Sequence, residues 1–171
     1  MIISHLAQLG HVHIAYVAGP QFLSTGFERY QGYLLGMRSS ELEVDDDLIA
    51  IGDAFTEEEG REAVGRMLAA RKRFTAIVAA NDLMALGCYD ELMAKGLKCP
   101  DDVSVVGFDD MPFAGHFNPP LTTVHTPLTE VGTNAARILL DHIKEPELPA
   151  CTLKLRPNLI VRNSTGKCSS G

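Results

Sequence analysis

The stretch Ala76–Gly87, AIVAANDLMALG, constrains the fold more than any other part of the chain. Ala76–Ala80 are small or β-branched and uncharged, the composition of a strand buried on both faces. Asn81 and Asp82 stop that run, and either side chain is able to accept hydrogen bonds from the free N–H groups of a first helical turn. LMALGCYDELMAKG then follows at helical spacing and closes at Lys95-Gly96, a basic last turn followed by a C′ glycine. Asn81 is thus expected where a parallel strand ends and a helix begins, the edge at which open α/β sheets bind ligands. The same punctuation returns at Val103–Asp110, and more weakly at Ile14–Pro20 and Leu48–Asp53.

Strands alternating with helices predict βαβ units, a parallel sheet and helices on both of its faces. Ile2–Leu9 reads as the tail of a helix without an N-cap signal, as if the chain were the later part of something longer. His13–Ala18 is the first expected strand. The pattern Thr25-x-x-Glu28 reads as a capping box opening a helix to about Arg38, with Phe27, Tyr30, Leu34 and Met37 on its apolar side. Leu48–Ile51 is the second strand. A second capping box, Thr56-x-x-Glu59, opens a helix to about Lys72. After the opening stretch come strands at Val103–Phe108 and Leu121–Val124, an amphipathic helix over Thr129–Lys144, and one or two strands within Leu153–Arg162. Asn163–Gly171 reads as a frayed polar tail.

Bulk properties narrow the function classes. The 171 residues make one domain or two small lobes, with 46% hydrophobic and 22% charged residues. A net charge of −7 repels phosphate backbones, and Arg71-Lys72-Arg73 is too short a basic run to offset it. The chain by itself is therefore a poor nucleic-acid binder. Its four cysteines show no C-x-x-C and no zinc spacing, so they read as free thiols with no metal bound. Neither a signal peptide nor an eighteen-residue apolar run is visible, which gives a cytoplasmic expectation and no membrane partner. The phosphate-cradling G-x-G-x-x-G and G-x-x-x-x-G-K-[ST] and the G-x-S-x-G elbow are missing, so no cofactor is expected.

In the helix after Asn81, the apolar residues Leu83, Met84, Leu86, Cys88, Tyr89, Leu92 and Met93 leave only a narrow charged strip. That stripe is wider than one wet helix face permits. Another element or a second subunit must cover it. The expectation is a homodimer with Met84, Cys88 and Leu92 in its interface.

Taken in order, a set of motifs resembles the LacI/GalR regulators of bacterial sugar metabolism. They are Gly10-His11-x-x-Ile14-Ala15, Gly19-Pro20, Arg29-x-x-Gly32-Tyr33, Gly52-Asp53 with Phe55–Gly60, and Ala80-Asn81-Asp82-x-Met84-Ala85-x-Gly87. Val103–Asp110, Pro119–Val124 and Arg162-x-Ser164-Thr165 complete the set. The resemblance implies a type I periplasmic-binding-protein-like α/β body, a parallel sheet flanked by helices, represented here mainly by its second lobe. Residues 12–124 and 152–165 would form that lobe. The helix at 129–144 would pack on a first lobe that this chain lacks, and the DNA-reading head is likewise absent. It further implies a ligand-sensing, dimerising part of a transcriptional regulator that binds a small sugar-like effector allosterically, without turnover, and meets DNA only through the head. A solute-binding protein of the same fold, or more distantly a small α/β enzyme, are the alternatives.

Three side chains carry the ligand chemistry in this reading. Arg29, expected in a first helical turn, opposes the helix dipole and offers a fork of donors; the resemblance makes it an effector grip. Asn81 offers both donors and an acceptor, provided that Asp82 does the capping and leaves Asn81 free. Asp109, at a strand end, is able to accept from two neighbouring hydroxyls. Asp110 points away in a regular strand and is left without a role, which disfavours a paired acid and base. The resemblance adds Phe55 as a ring lining the pocket, while His125 reads as a polar loop residue.

Overall fold

The computed structural model describes residues 1–168. Strands β1 (Ile14–Ala18), β2 (Ile49–Ile51), β3 (Ala76–Ala79), β4 (Ser104–Asp109), β5 (Thr122–His125) and β6 (Asn158–Ile160) form one sheet. Their spatial order is β2-β1-β3-β4-β5-β6. All pairs are parallel except β5 with β6, which run antiparallel at one edge. Five helices accompany them among the described residues: α1 (Ile2–Gln8), α2 (Ser24–Ser39), α3 (Glu57–Ala69), α4 (Asp82–Ala94) and α5 (Leu128–Lys144). Every residue of β1 and β3 is buried, as short uncharged runs between two helical layers require. On one side, Tyr16 stacks on the rings of Tyr30 and Tyr33 of α2, and Tyr33 donates its hydroxyl to the Ile14 carbonyl at 2.9 Å. On the other, α3 and α4 pack as a pair.

That pair corrects the expected dimer interface. An added Cβ on Gly87 would lie 1.8 Å from the Glu57 carbonyl oxygen, and one on Gly60 would lie 2.1 Å from that of Met84. The two helix backbones therefore touch, and α3 covers the wide apolar stripe of α4. Met84, Cys88 and Leu92 are 0%, 0% and 1% exposed, inside the core of the single chain. Leu83 and Met93 are the apolar residues of α4 that remain outside.

Several local expectations also shift. α2 begins at Ser24 with Leu23 at its N-cap and no side-chain cap, so Thr25-x-x-Glu28 is not a capping box. Met37 is buried as expected, but Phe27 is exposed, and Gly26 and Tyr33 are buried beside Met37. At α3 the Thr56 hydroxyl does accept the Glu59 N–H, while the Glu59 carboxylate turns to the Asp53 N–H. The late region contributes one strand, β6, and that strand is antiparallel. Residues 163–168 are not frayed: Ser164 is fully buried, donates to the Val105 carbonyl at 2.6 Å and accepts the Thr122 N–H at 2.7 Å. The rest of that expected tail, residues 169–171, lies outside the described residues.

The same returning segment meets a buried histidine. His11 Nδ1 is 2.9 Å from the Thr75 hydroxyl, and Nε2 is 3.0 Å from the Gly166 carbonyl. Burial lowers the His11 pKa, the Gly166 carbonyl acts against it, and neighbouring His5 adds to the lowering. In contrast to these packed elements, α5 buries none of its residues. Leu128, Val131, Leu139, Leu140 and Ile143 all remain exposed along it. No helix among the described residues is long and apolar enough to cross a membrane.

Candidate functional site

Parallel strands bring their C-terminal ends to one edge, and the chain's polar strand-end residues meet there. Arg29 lies in the second turn of α2, because the helix starts earlier than its sequence indicates. Its dipole is therefore a weaker concern than its partners. The guanidinium donates to Asp109 at 2.7 Å and to the Ala80 carbonyl at 2.6 Å. It lies 4.0 Å from the centroid of the Phe108 ring and 5.8 Å from that of Phe55. Arg29 and Asp109 each keep about a fifth of their side-chain surface exposed, at 20% and 21%. Cation and rings reinforce the charge pair, since the ring faces are electron-rich. Phe55 reaches this place only because residue 19 is glycine: a Cβ there would meet the ring at 2.1 Å.

Asn81 follows the Ala80 carbonyl directly, but its role differs from the expected one. Asn81 is the N-cap of α4, its Oδ1 accepting the Met84 N–H at 2.8 Å. Asp82 does not cap. It is fully buried, accepts the Thr123 hydroxyl at 2.6 Å and the Met111 N–H at 2.7 Å. Burial raises its pKa, while those two hydrogen bonds and the nearby aspartates pull in opposite directions. Space for its carboxylate comes from Gly107, where a Cβ would lie 2.3 Å from Asp82 Oδ1.

The end of β4 is bent. Asp109 and Asp110 have φ of +109° and +54°, conformations that residues with a side chain rarely adopt. Each such residue costs on the order of 1–3 kcal/mol and persists only where its surroundings fix it. The turn separates the two carboxylates. Asp109 faces Arg29, whereas Asp110 accepts from Arg162 at 2.7 Å and lies 3.0 Å from His125 Nδ1. No substrate is shared by an acid–base pair in that arrangement. Among the described residues, no group of three or more His, Cys, Asp or Glu is arranged to hold a metal ion.

The structure thus brings Arg29, Phe55 and Asp109 together with the strand end that precedes Asn81. Sequence reasoning missed Phe108 and Arg162, and gave Asp82 the capping role that Asn81 takes. Phe108 and Arg162 both sit inside the quoted motifs, so position relative to a strand end was the available signal. A cavity of about 390 Å³ opens beside the cluster, lined by Arg29, Phe108, Asn134, Ile138, Leu153 and Leu155.

Comparison with known proteins bears on the family and the fold. The family described as periplasmic binding protein-like domain matches residues 3–165. The chain belongs to that family. It is 39% identical over 163 residues to the HTH-type transcriptional repressor PurR of Vibrio campbellii, a match covering 95% of this chain and 48% of that protein. It is also 39% identical over 159 residues to the HTH-type transcriptional regulator CelR of Thermobifida fusca, covering 93% of this chain and 46% of the regulator. Among solved structures, a CelR–cellobiose complex superposes with a TM-score of 0.90 at 38% identity, covering 95% of this chain and 49% of that one. The lac repressor dimer bound to operator and the anti-inducer ONPF gives 0.88 at 27% identity, covering 96% and 56%. The chain spans about half the length of the curated relatives it matches. These periplasmic-binding-protein-like relatives are named as transcriptional regulators rather than as enzymes.

Proposed function

We propose that this chain is the effector-sensing part of a cytoplasmic LacI-type transcriptional regulator. Arg29, Asn81, Asp109 and Phe55 would contact a neutral, hydroxyl-rich small molecule, bound without turnover. The observation that carries this reading is the Arg29–Asp109 pair set between Phe108 and Phe55. Its two charges already satisfy each other. A sugar presents donors and acceptors on one ring and is able to enter between them, giving hydroxyl hydrogens to Asp109 and accepting from Arg29. An anion would instead compete with Asp109. The Oδ1 of Asn81 is occupied by its own helix, which leaves the Nδ2 amide for the ligand. The ring of Phe55 supplies a flat apolar wall.

In the whole regulator, α5 (128–144) would leave this lobe and lay its exposed apolar residues on the other one. Ligand closing the two lobes would then change how a dimer presents its DNA-reading heads, and DNA would be touched only there. The buried position of Met84, Cys88 and Leu92 moves the expected dimer contact elsewhere. Leu83 and Met93, which stay exposed on α4, would contribute to it.

Isothermal calorimetry with cellobiose, glucose and a purine base, on the full regulator, tests the effector assignment. Hydrogen bonds to charged groups contribute ~1.5–3 kcal/mol each, so Arg29→Ala and Asp109→Ala should each weaken binding roughly ten- to hundredfold. Unchanged affinity in both variants would refute the site.

A further inference from the structure

We propose that Arg162 is a positioning residue for Asp109, acting through Asp110 across the strand edge. The inference rests on the reading of Asp109 as the ligand-facing carboxylate. Asp109 and Asp110 are consecutive and both carry positive φ, at +109° and +54°. Such a turn stays in place only if neighbouring groups hold it. Two braces do so. From beneath, the buried Asp82 accepts the Met111 N–H and the Thr123 hydroxyl, and Thr123 Oγ1 in turn lies 3.4 Å from the Asp110 N–H. From outside, Arg162 donates one guanidinium nitrogen to Asp110 at 2.7 Å and another to the Leu121 carbonyl at 2.7 Å.

Arg162 is itself fixed, not draped over the surface. Its backbone N–H donates to the Thr122 hydroxyl at 2.9 Å, and its side chain is only 24% exposed. A flexible exposed ion pair would hold nothing in place. This one joins the segment after β6 to the loop ahead of β5 and to the end of β4, three pieces far apart in sequence. His125 closes the arrangement on the second Asp110 oxygen at 3.0 Å. With Asp110 held by these partners, the preceding carboxylate is turned the other way, toward Arg29. Among the described residues Arg162 makes no hydrogen bond to Arg29, Asp109, Asn81 or Phe55, and is expected to act on them only by aiming Asp109.

The test is made on the ligand-free 171-residue chain by nitrogen-15 NMR. The guanidinium carbon of Arg29 lies 4.0 Å from the Phe108 centroid, so the neighbouring Nε–H signal should be sharp and shifted by that ring. In Arg162→Gln it should broaden or move toward the position of a free arginine, together with the Asp110 and Met111 amides. The amide signals of β1, β3 and α3 should stay. Arg162→Lys retains a cation for Asp110 and should restore part of the Arg29 shift. An Arg29 signal unmoved in Arg162→Gln overturns the proposal. So does a general loss of dispersion in both variants, which would make Arg162 a plain stability residue. Cellobiose calorimetry on the full regulator reads the effector assignment separately, because the NMR comparison needs no ligand.

Discussion

At the scale of single residues, the edge where the parallel strands end is a set of groups that answer one another. Arg29 was readable as a candidate because a cation so near a helix start needed a partner, and the structure supplies Asp109 and the Ala80 carbonyl. The division of labour between Asn81 and Asp82 was not readable. Either residue suits an N-cap, and the choice is made by Thr123 and Met111, which lie 41 and 29 positions from Asp82. Asn81 is therefore a stability residue besides its proposed ligand role. Asn81→Ala should lower unfolding free energy by ~1 kcal/mol, the usual value of a lost cap, seen as a reduced urea midpoint with unchanged slope.

The element scale shows where periodicity stops being informative. The stripe on α4 correctly signalled that something covers it, but apolar spacing is the same whether α3 or a second subunit does so. The deciding signal was a pair of glycines, Gly60 and Gly87, which let the two helix backbones approach to contact. The parallel sheet likewise followed from β-α alternation, whereas the antiparallel β6 did not, since a three-residue strand carries almost no pattern. Gly87→Ala forces a methyl group against the Glu57 carbonyl, a contact no side-chain rotation relieves. Overpacking of this kind typically costs 1–3 kcal/mol, and the thermal midpoint of Gly87→Ala should fall accordingly; an unchanged midpoint would mean that the helices separate freely.

Across the whole molecule, two features set its behaviour. The first is the stitching of residues 164–168 under the sheet, where His11 binds Thr75 and Gly166 and His5 binds Thr165. Burial lowers the pKa of both histidines in the fold. The unfolded chain therefore takes up protons first as pH falls below about 6.5, the ordinary histidine value. Stability is fully present above that pH and is lost as acidity approaches the folded-state values. Urea midpoints should drop between neutral pH and about pH 5, and His11→Gln should flatten that slope. The second feature is the ion pair at the strand edge. Because Arg29 arrives with its own counter-charge, the pair itself exerts little net pull on a passing molecule. On the proposed effector reading, recognition would be an exchange of partners, in which an arriving molecule must replace every bond it interrupts. Discrimination would then lie in the match of hydroxyl directions, and a molecule that offers charge alone would gain nothing by coming near.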